Sequence, residues 1–337
     1  MYKVSILVPI YGVEQYIERC ARSLFEQTYQ NLEYVFVNDC SPDRSLELLL
    51  NVIKDYPQRK DAVRIVSHEK NRGLAAARNT ALEYATGVFI CHVDSDDWVD
   101  PQMVECLVSR QLETDADIVS CDAVIHYPSW ERYWEEPDYE SKDEMMRNIL
   151  RLSIDHAIWR RLIRLSLYKA NDIQMVEGVN IGEDHYTLPR LLFYADSFAR
   201  CKRALYHYNC LNEHSYMQST EERFSLLRYK SDIASFNILT DFFRQRASNY
   251  CDLLYALEAA YVYKQFFNVL KVGDKGGYNE LCKDWKSIDN VFLKEAANCK
   301  SDCKVKLFSP SFYCLNRIRV IYRIFLKKVF GIRRYEF

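Results

Sequence analysis

Asp94, Asp96 and Asp97 crowd into the tetrapeptide D-S-D-D directly after the run V-F-I-C-H-V, residues 88–93. The run reads as a buried strand that stops abruptly at the first Asp. Three carboxylates at a strand's exit repel one another unless a cation or a set of hydrogen-bond donors compensates them. A hard divalent ion such as Mg2+ or Mn2+ suits such a site, because it wants oxygen ligands and takes several of them from phosphates and water. A strand-to-helix turn whose Asp residues cap a helix near Pro101 accounts for the same residues without any ligand. Glu183 and Asp184 pose the same choice, since they follow Gly182 at the start of a helical pattern and serve equally as its N-terminal cap.

The elements that position these groups alternate. Strands are predicted at Val4 to Ile10, Glu33 to Asn38, Val63 to Ser67, Val88 to Val93 and Ile118 to Ile125. Helices are predicted between them, from about Val13 to Leu24, Arg44 to Tyr56, Ala75 to Ala85 and Pro101 to Thr114. This order predicts an α/β fold with a mostly parallel sheet and helices on both faces. Ligands of such sheets bind beyond the carboxyl ends of the strands, where Tyr11, Asp39, Asn71 and Asp94 all fall. Neither a G-x-G-x-x-G after the first strand nor a G-x-x-x-x-G-K-[ST] is present, so the site is polar and carboxylate-based. Tyr127 to Ser141, rich in aromatics and acids, reads as a surface loop or lid, or as a plain insertion. A strand is predicted at Phe198 to Tyr208, and beyond Thr220 long helical segments take over, at about 221–246, 253–272 and 278–298.

Composition narrows the class. A 49% hydrophobic, 27% charged chain is globular, and a net charge of −2 gives no global pull toward nucleic acid. The 12 Cys lack paired zinc-ligand spacings and read as buried reduced thiols of a cytoplasmic protein. No apolar run reaches the roughly 18 residues of a membrane span.

Five motifs occur in order: V-S-I-L-V-P-I-Y at Val4 to Tyr11, V-N-D-C-S-P-D-R-S at Val37 to Ser45, N-R-G-L-A-A-A-R-N at Asn71 to Asn79, D-S-D-D-W at Asp94 to Trp98, and G-E-D at Gly182 to Asp184. Together they resemble the family 2 glycosyltransferases of GT-A fold, over residues 1–215. The resemblance implies a Rossmann-like, mostly parallel sheet with flanking helices: residues 1–125 form a nucleotide-sugar-binding half, and residues 126–215 an acceptor-binding half. Residues 216–311 are expected as a helical C-terminal region and 312–337 as a basic amphipathic helix.

The resemblance further implies that Pro9, Tyr11 and Asp39 line a nucleoside pocket, Asp39 accepting from a base N–H and Tyr11 packing on the ring. Asn71 and Arg78 complete the nucleotide site, with Arg78 suited by its fork of donors to a carboxylate or phosphate. Asp96 is implied as the metal ligand for Mn2+ or Mg2+, Asp94 as reaching the donor ribose or the ion, and Ser95 as part of the donor site. Asp184 matches the general base of an inverting transfer from a nucleotide-sugar, a UDP-sugar, to a hydroxyl of a glycan or lipid-linked glycan. One departure stands out: Cys40 occupies a position where the family carries Gly, and a backbone with φ > 0 there strains Cys, so the loop is expected to differ.

His207 and His214 are alternatives for a further metal ligand or phosphate donor, or structural histidines. Trp98 and Trp159 stack on sugar rings or belong to the core. From Asp302 to Phe337 nine Lys or Arg face two acids, and apolar residues from Leu315 to Val329 fall on one helical face. Such a helix lies peripherally on the inner face of a membrane, or closes the helical core. Two competing functions are an Asp-nucleophile phosphatase or phosphotransferase built on Asp94 and Asp96, and a non-catalytic nucleotide-sugar-binding assembly factor.

Overall fold

The computed structural model describes residues 1–151, 156–212 and 225–288. In chain order the elements are β1 (Val4–Ile10), α1 (Ile17–Phe25), β2 (Leu32–Asn38), α2 (Ser45–Asp55), β3 (Val63–Ser67), α3 (Leu74–Tyr84), β4 (Phe89–His92), β5 (Trp98–Val99) and α4 (Met103–Thr114). There follow β6 (Ile118–His126), β7 (Glu131–Trp134), α5 (Lys142–Leu150), β8 (Arg161–Arg164), α6 (Leu165–Lys169), α7 (Glu183–Tyr194) and β9 (Phe198–Asn209), then α8 (Leu226–Arg244), α9 (Asn249–Val272) and α10 (Lys275–Ile288).

The sheet runs β3-β2-β1-β4-β8-β6-β9-β5, with β7 paired to β6. Its first four strands are parallel, which explains why β1 is buried at every residue: a parallel strand covered on both faces needs a continuous apolar run. β8 enters antiparallel between β4 and β6, and β9 then pairs parallel to β6. The mostly parallel sheet with flanking helices is as expected. α3 packs closely because its inward face is Ala75, Ala76, Ala77 and Ala81, and residues this small let a helix approach the sheet.

Residues 127–141 depart from a plain loop. Glu131–Trp134 forms the second strand of a hairpin with β6, and Glu136 is buried against Arg161, whose Nη2 reaches both its carboxylate oxygens at 2.9 and 3.0 Å. Aromatic and β-branched residues suit a strand as well as a loop, so composition alone did not separate the two.

The chain divides into two units, Met1–Ser219 and Thr220–Phe337. The second, as far as it is described, holds α8, α9 and α10 around a core of Tyr229, Val262, Phe266, Val269, Tyr278 and Leu281. No helix among the described residues is long and apolar enough to cross a membrane. The amphipathic segment expected at 312–337, and His214, lie outside the described residues.

Candidate active site

The carboxyl ends of β1 and β2 are tied together before any ligand enters. The Asp39 N–H donates to the Ile10 carbonyl at 3.0 Å, and the Gly12 N–H donates to Ser41 Oγ at 2.9 Å. Asp43 gathers this loop by accepting from the hydroxyls of Ser41 and Ser45, both at 2.6 Å, and from the Glu14 N–H at 2.9 Å. Burial works against the Asp43 charge, but these bonds outweigh it and hold the carboxyl below its usual range. Tyr11 stands 49% exposed at the rim, with its ring open to a partner. Pro9 is buried in β1, opposite Val37. Cys40 is exposed with φ 56, a left-handed conformation in which Cys bears the strain that glycine avoids. Beside it Ser41 donates its N–H to Asn38 Oδ1 at 3.0 Å and its hydroxyl to Asp43 Oδ1 at 2.6 Å, which holds the loop in place.

Asp39 itself is buried and turned toward the start of α3. Its Oδ1 accepts from His68 Nδ1 at 2.6 Å and from the Arg72 N–H at 2.8 Å, while Oδ2 accepts from the Gly73 N–H at 2.7 Å. Gly73 is required there: its φ is +88, and a Cβ would lie 2.3 Å from Asn180 Nδ2. Glycine offers no capping side chain, and Asn180 supplies one from the segment between α6 and α7, accepting from the Ala75 N–H at 3.1 Å. Asn79 bonds the backbone of Met175 in both directions, at 2.7 and 2.9 Å. Asn71 is exposed beside Arg72, which pairs with Glu177 at 2.5 Å. The third motif is thus docked along the segment leading to the fifth.

Arg78 closes the arrangement. It is only 1% exposed; its Nη2 reaches Asp94 Oδ1 at 2.7 Å and its Nε reaches Glu183 Oε1 at 3.1 Å. Burial alone lowers the guanidinium's affinity for its proton, but Asp94, Glu183 and Asp184 overcome this and raise it, so the charge is permanent. Burial raises the Glu183 carboxyl, against the pull of Arg78. Asp184 sits partly exposed in the first turn of α7, next to Glu183 and close enough to act on the Arg78 charge.

The acidic triplet does not converge on one point. Asp97 is buried and bonded to the Tyr206 hydroxyl at 2.7 Å and to the Asn209 N–H at 2.7 Å. Burial, with Asp96 and Asp94 adding to it, outweighs these two donors and pushes the Asp97 carboxyl well above the usual carboxylate range. Ser95 is buried between the two remaining acids. Asp96 is partly buried and accepts from Asn212 Nδ2 at 2.9 Å; burial, with Asp94 adding to it, pushes its carboxyl up to about 6.

No group of three or more His, Cys, Asp and Glu able to hold a metal exists among the described residues. The donor set nonetheless fits a hard divalent ion. Asp96 carries more negative potential than its protein donors balance, and Mg2+ or Mn2+ sites commonly take one or two carboxylates with phosphate oxygens completing the shell.

His207 stacks on Trp98 at 5.0 Å and meets His126 at 2.9 Å. The Arg19 guanidinium lies 3.5 Å over Trp98. Trp159 is buried against Tyr206 and Tyr208. The site residues that sequence reasoning missed are His68, Asn180, Tyr206 and Asn212. Each lies far in sequence from what it holds, and no local signal marked it.

Residues 5–169 match the family model described as glycosyl transferase family 2. The chain is similar to the uncharacterized glycosyltransferase EpsJ of Bacillus subtilis, at 31% identity over 69% of this chain and 70% of that protein. Among solved structures it resembles Staphylococcus aureus TarS 1–349 in complex with UDP-GlcNAc, with a TM-score of 0.65 and 20% identity over 99% of this chain and 94% of the other. The mannosyltransferase PcManGT of Pyrobaculum calidifontis, in complex with GDP-Man and Mn2+, shares the fold at a TM-score of 0.51 and 15% identity over 96% and 88%.

Proposed function

The chain belongs to glycosyl transferase family 2, and from that premise we propose that it is an inverting, metal-dependent enzyme that moves a sugar from a UDP-sugar to a hydroxyl of a cell-surface glycan or lipid-linked oligosaccharide. The observation that carries this reading is the Arg78 bridge, which joins Asp94 to Glu183 and so draws Asp184 toward the acidic turn.

Each side chain then has a task. Tyr11 packs on the base and Asp39 accepts from it. Asp94, oriented by Arg78, reaches the donor ribose, and Asp96 is the residue that would hold a divalent ion. When bound, Mn2+ or Mg2+ supplies neutralisation of the charge that develops on the leaving nucleoside diphosphate. Asp184 takes the proton from the acceptor hydroxyl as its oxygen attacks the anomeric carbon from the face opposite the leaving group. A single displacement through an oxocarbenium-like state inverts the anomeric configuration. UDP-GlcNAc in TarS and Mn2+ in PcManGT support a nucleotide-sugar donor and a divalent ion.

Calorimetric titration of UDP, with and without Mn2+, tests the reading. UDP is expected to bind in the presence of Mn2+ and to lose that metal dependence in Asp96→Ala. Asp184→Asn is expected to keep donor affinity while transfer falls by at least about a hundredfold, the scale of a lost general base. An Asp184→Asn enzyme with undiminished transfer removes Asp184 from the mechanism.

A further inference from the structure

The hydrogen bonds around Asp39 carry information about the base it meets. Its Oδ1 already accepts from two protein donors, His68 Nδ1 and the Arg72 N–H, whereas Oδ2 accepts from the Gly73 N–H alone. A carboxylate oxygen offers two lone pairs, so Oδ1 is filled and one acceptor position remains, on Oδ2. The arrangement is built in: the side chains of His68 and Asp39 are 5% and 3% exposed, and His68 Nε2 is anchored on Thr80 Oγ1 at 2.9 Å. An ionised carboxylate only accepts, so Nδ1 of His68 carries the proton. Two of the three donors are backbone groups at the start of α3. His68 is the side chain that decides how many positions stay open.

We propose that His68 is a base-selectivity residue: by filling Asp39 Oδ1 it tunes the pocket to a base with a single edge N–H, uracil, and against guanine. The inference rests on the reading above that Asp39 faces the donor's base. Uracil presents N3–H between two carbonyls and needs one acceptor; thymine shares that edge. Guanine presents N1–H beside its amino group, two donors spaced to take both oxygens of a carboxylate. Here the second donor meets a filled oxygen and is buried without a partner. Cytosine puts an acceptor at N3 where uracil has its N–H and offers its only edge donor at the 4-amino group, displaced from that position. The expected preference for UDP over GDP is about tenfold to a hundredfold, the range set by one unpaired buried donor.

The test is calorimetric titration of UDP, GDP and CDP, in Mn2+, into the full chain and into His68→Phe, which keeps a ring of similar size but removes the donor. The wild type is expected to bind UDP at least about tenfold more tightly than GDP, and more tightly than CDP. In His68→Phe the UDP-to-GDP ratio is expected to close by about tenfold through tighter GDP binding. Wild-type protein that binds GDP as well as UDP overturns the inference and leaves the donor-site reading standing. A folded variant with an unchanged ratio overturns it too. Binding of no nucleoside diphosphate overturns both. His68→Ala is the second variant, and the wild-type order by itself decides whether only one acceptor position is open.

Discussion

Asp96 shows how a residue is costly to the fold and useful to the site. Its carboxyl is pushed from 3.8 up to about 6 by burial and by Asp94. Between those values the native state keeps a proton that the unfolded chain has released, so unfolding sheds it and stability falls as the pH rises through that window. In metal-free buffer the protein is therefore expected to be more stable at pH 5 than at pH 7 on this account. Asp96→Asn, which keeps an acceptor for Asn212, is expected to lose that dependence and to gain about 1 kcal/mol at pH 7, after allowing for partial exposure. Urea unfolding in a chelator at the two pH values reads both effects. An unaltered slope between pH 5 and 7 in the variant counts against Asp96 as its source. Cys40 is costly in another way, in backbone strain, and sits at the exposed tip of a loop whose hydrogen bonds hold it in place.

At the scale of elements, the site depends on ends rather than middles. α3 begins at a glycine that cannot cap it, so its first turn borrows Asn180 from a segment more than a hundred residues away. Asn180→Ala is expected to cost about 1 kcal/mol, the usual value of a lost cap. The same variant should weaken donor binding, because the Arg72 and Gly73 N–H groups that hold Asp39 lie on that turn. Chemical denaturation beside UDP titration separates the two effects, and a variant equal to wild type in both removes Asn180 from this role. β9 plays the matching part for the acidic turn: Tyr206 accepts from the Asp94 N–H at 3.1 Å and donates to Asp97 at 2.7 Å. One phenol therefore orients the turn from the far half of the sheet.

Across the whole first unit, β8 enters antiparallel beside β4 and joins the parallel strands to the β6 and β9 pair in one sheet. Arg78 is the ionic counterpart of that continuity, with one carboxylate from each half. Removing it leaves Asp94 and the buried Glu183 without their cation, and Arg78→Ala is expected to cost about 3–5 kcal/mol. Arg78→Lys, a point charge without the fork, is expected to recover only part of this. Equilibrium unfolding of both variants measures it, and a loss below about 1 kcal/mol in Arg78→Ala would mean that the carboxylates find other donors. α8, α9 and α10 form their own aromatic core, in which the Tyr229 hydroxyl donates to Asp284 at 2.6 Å.

By itself the sequence determined the alternating strands and helices up to Ile125, apart from the two-residue β5, because hydrophobic period and turn residues are local signals, and it placed Tyr11, Asp39 and Asp94 at strand ends; β7 and β8 were not legible in it. The five motifs carried the family. The tertiary structure decided which acids act together. Asp94, Asp96 and Asp97 are adjacent in the chain, yet Asp97 belongs to Tyr206 and Asn209, Asp96 to Asn212, and Asp94 to Arg78. No local pattern encodes those partners. They are set by long-range strand pairing, which brings β9 and the start of α7 to the same crevice and assigns each buried carboxylate the donor it needs.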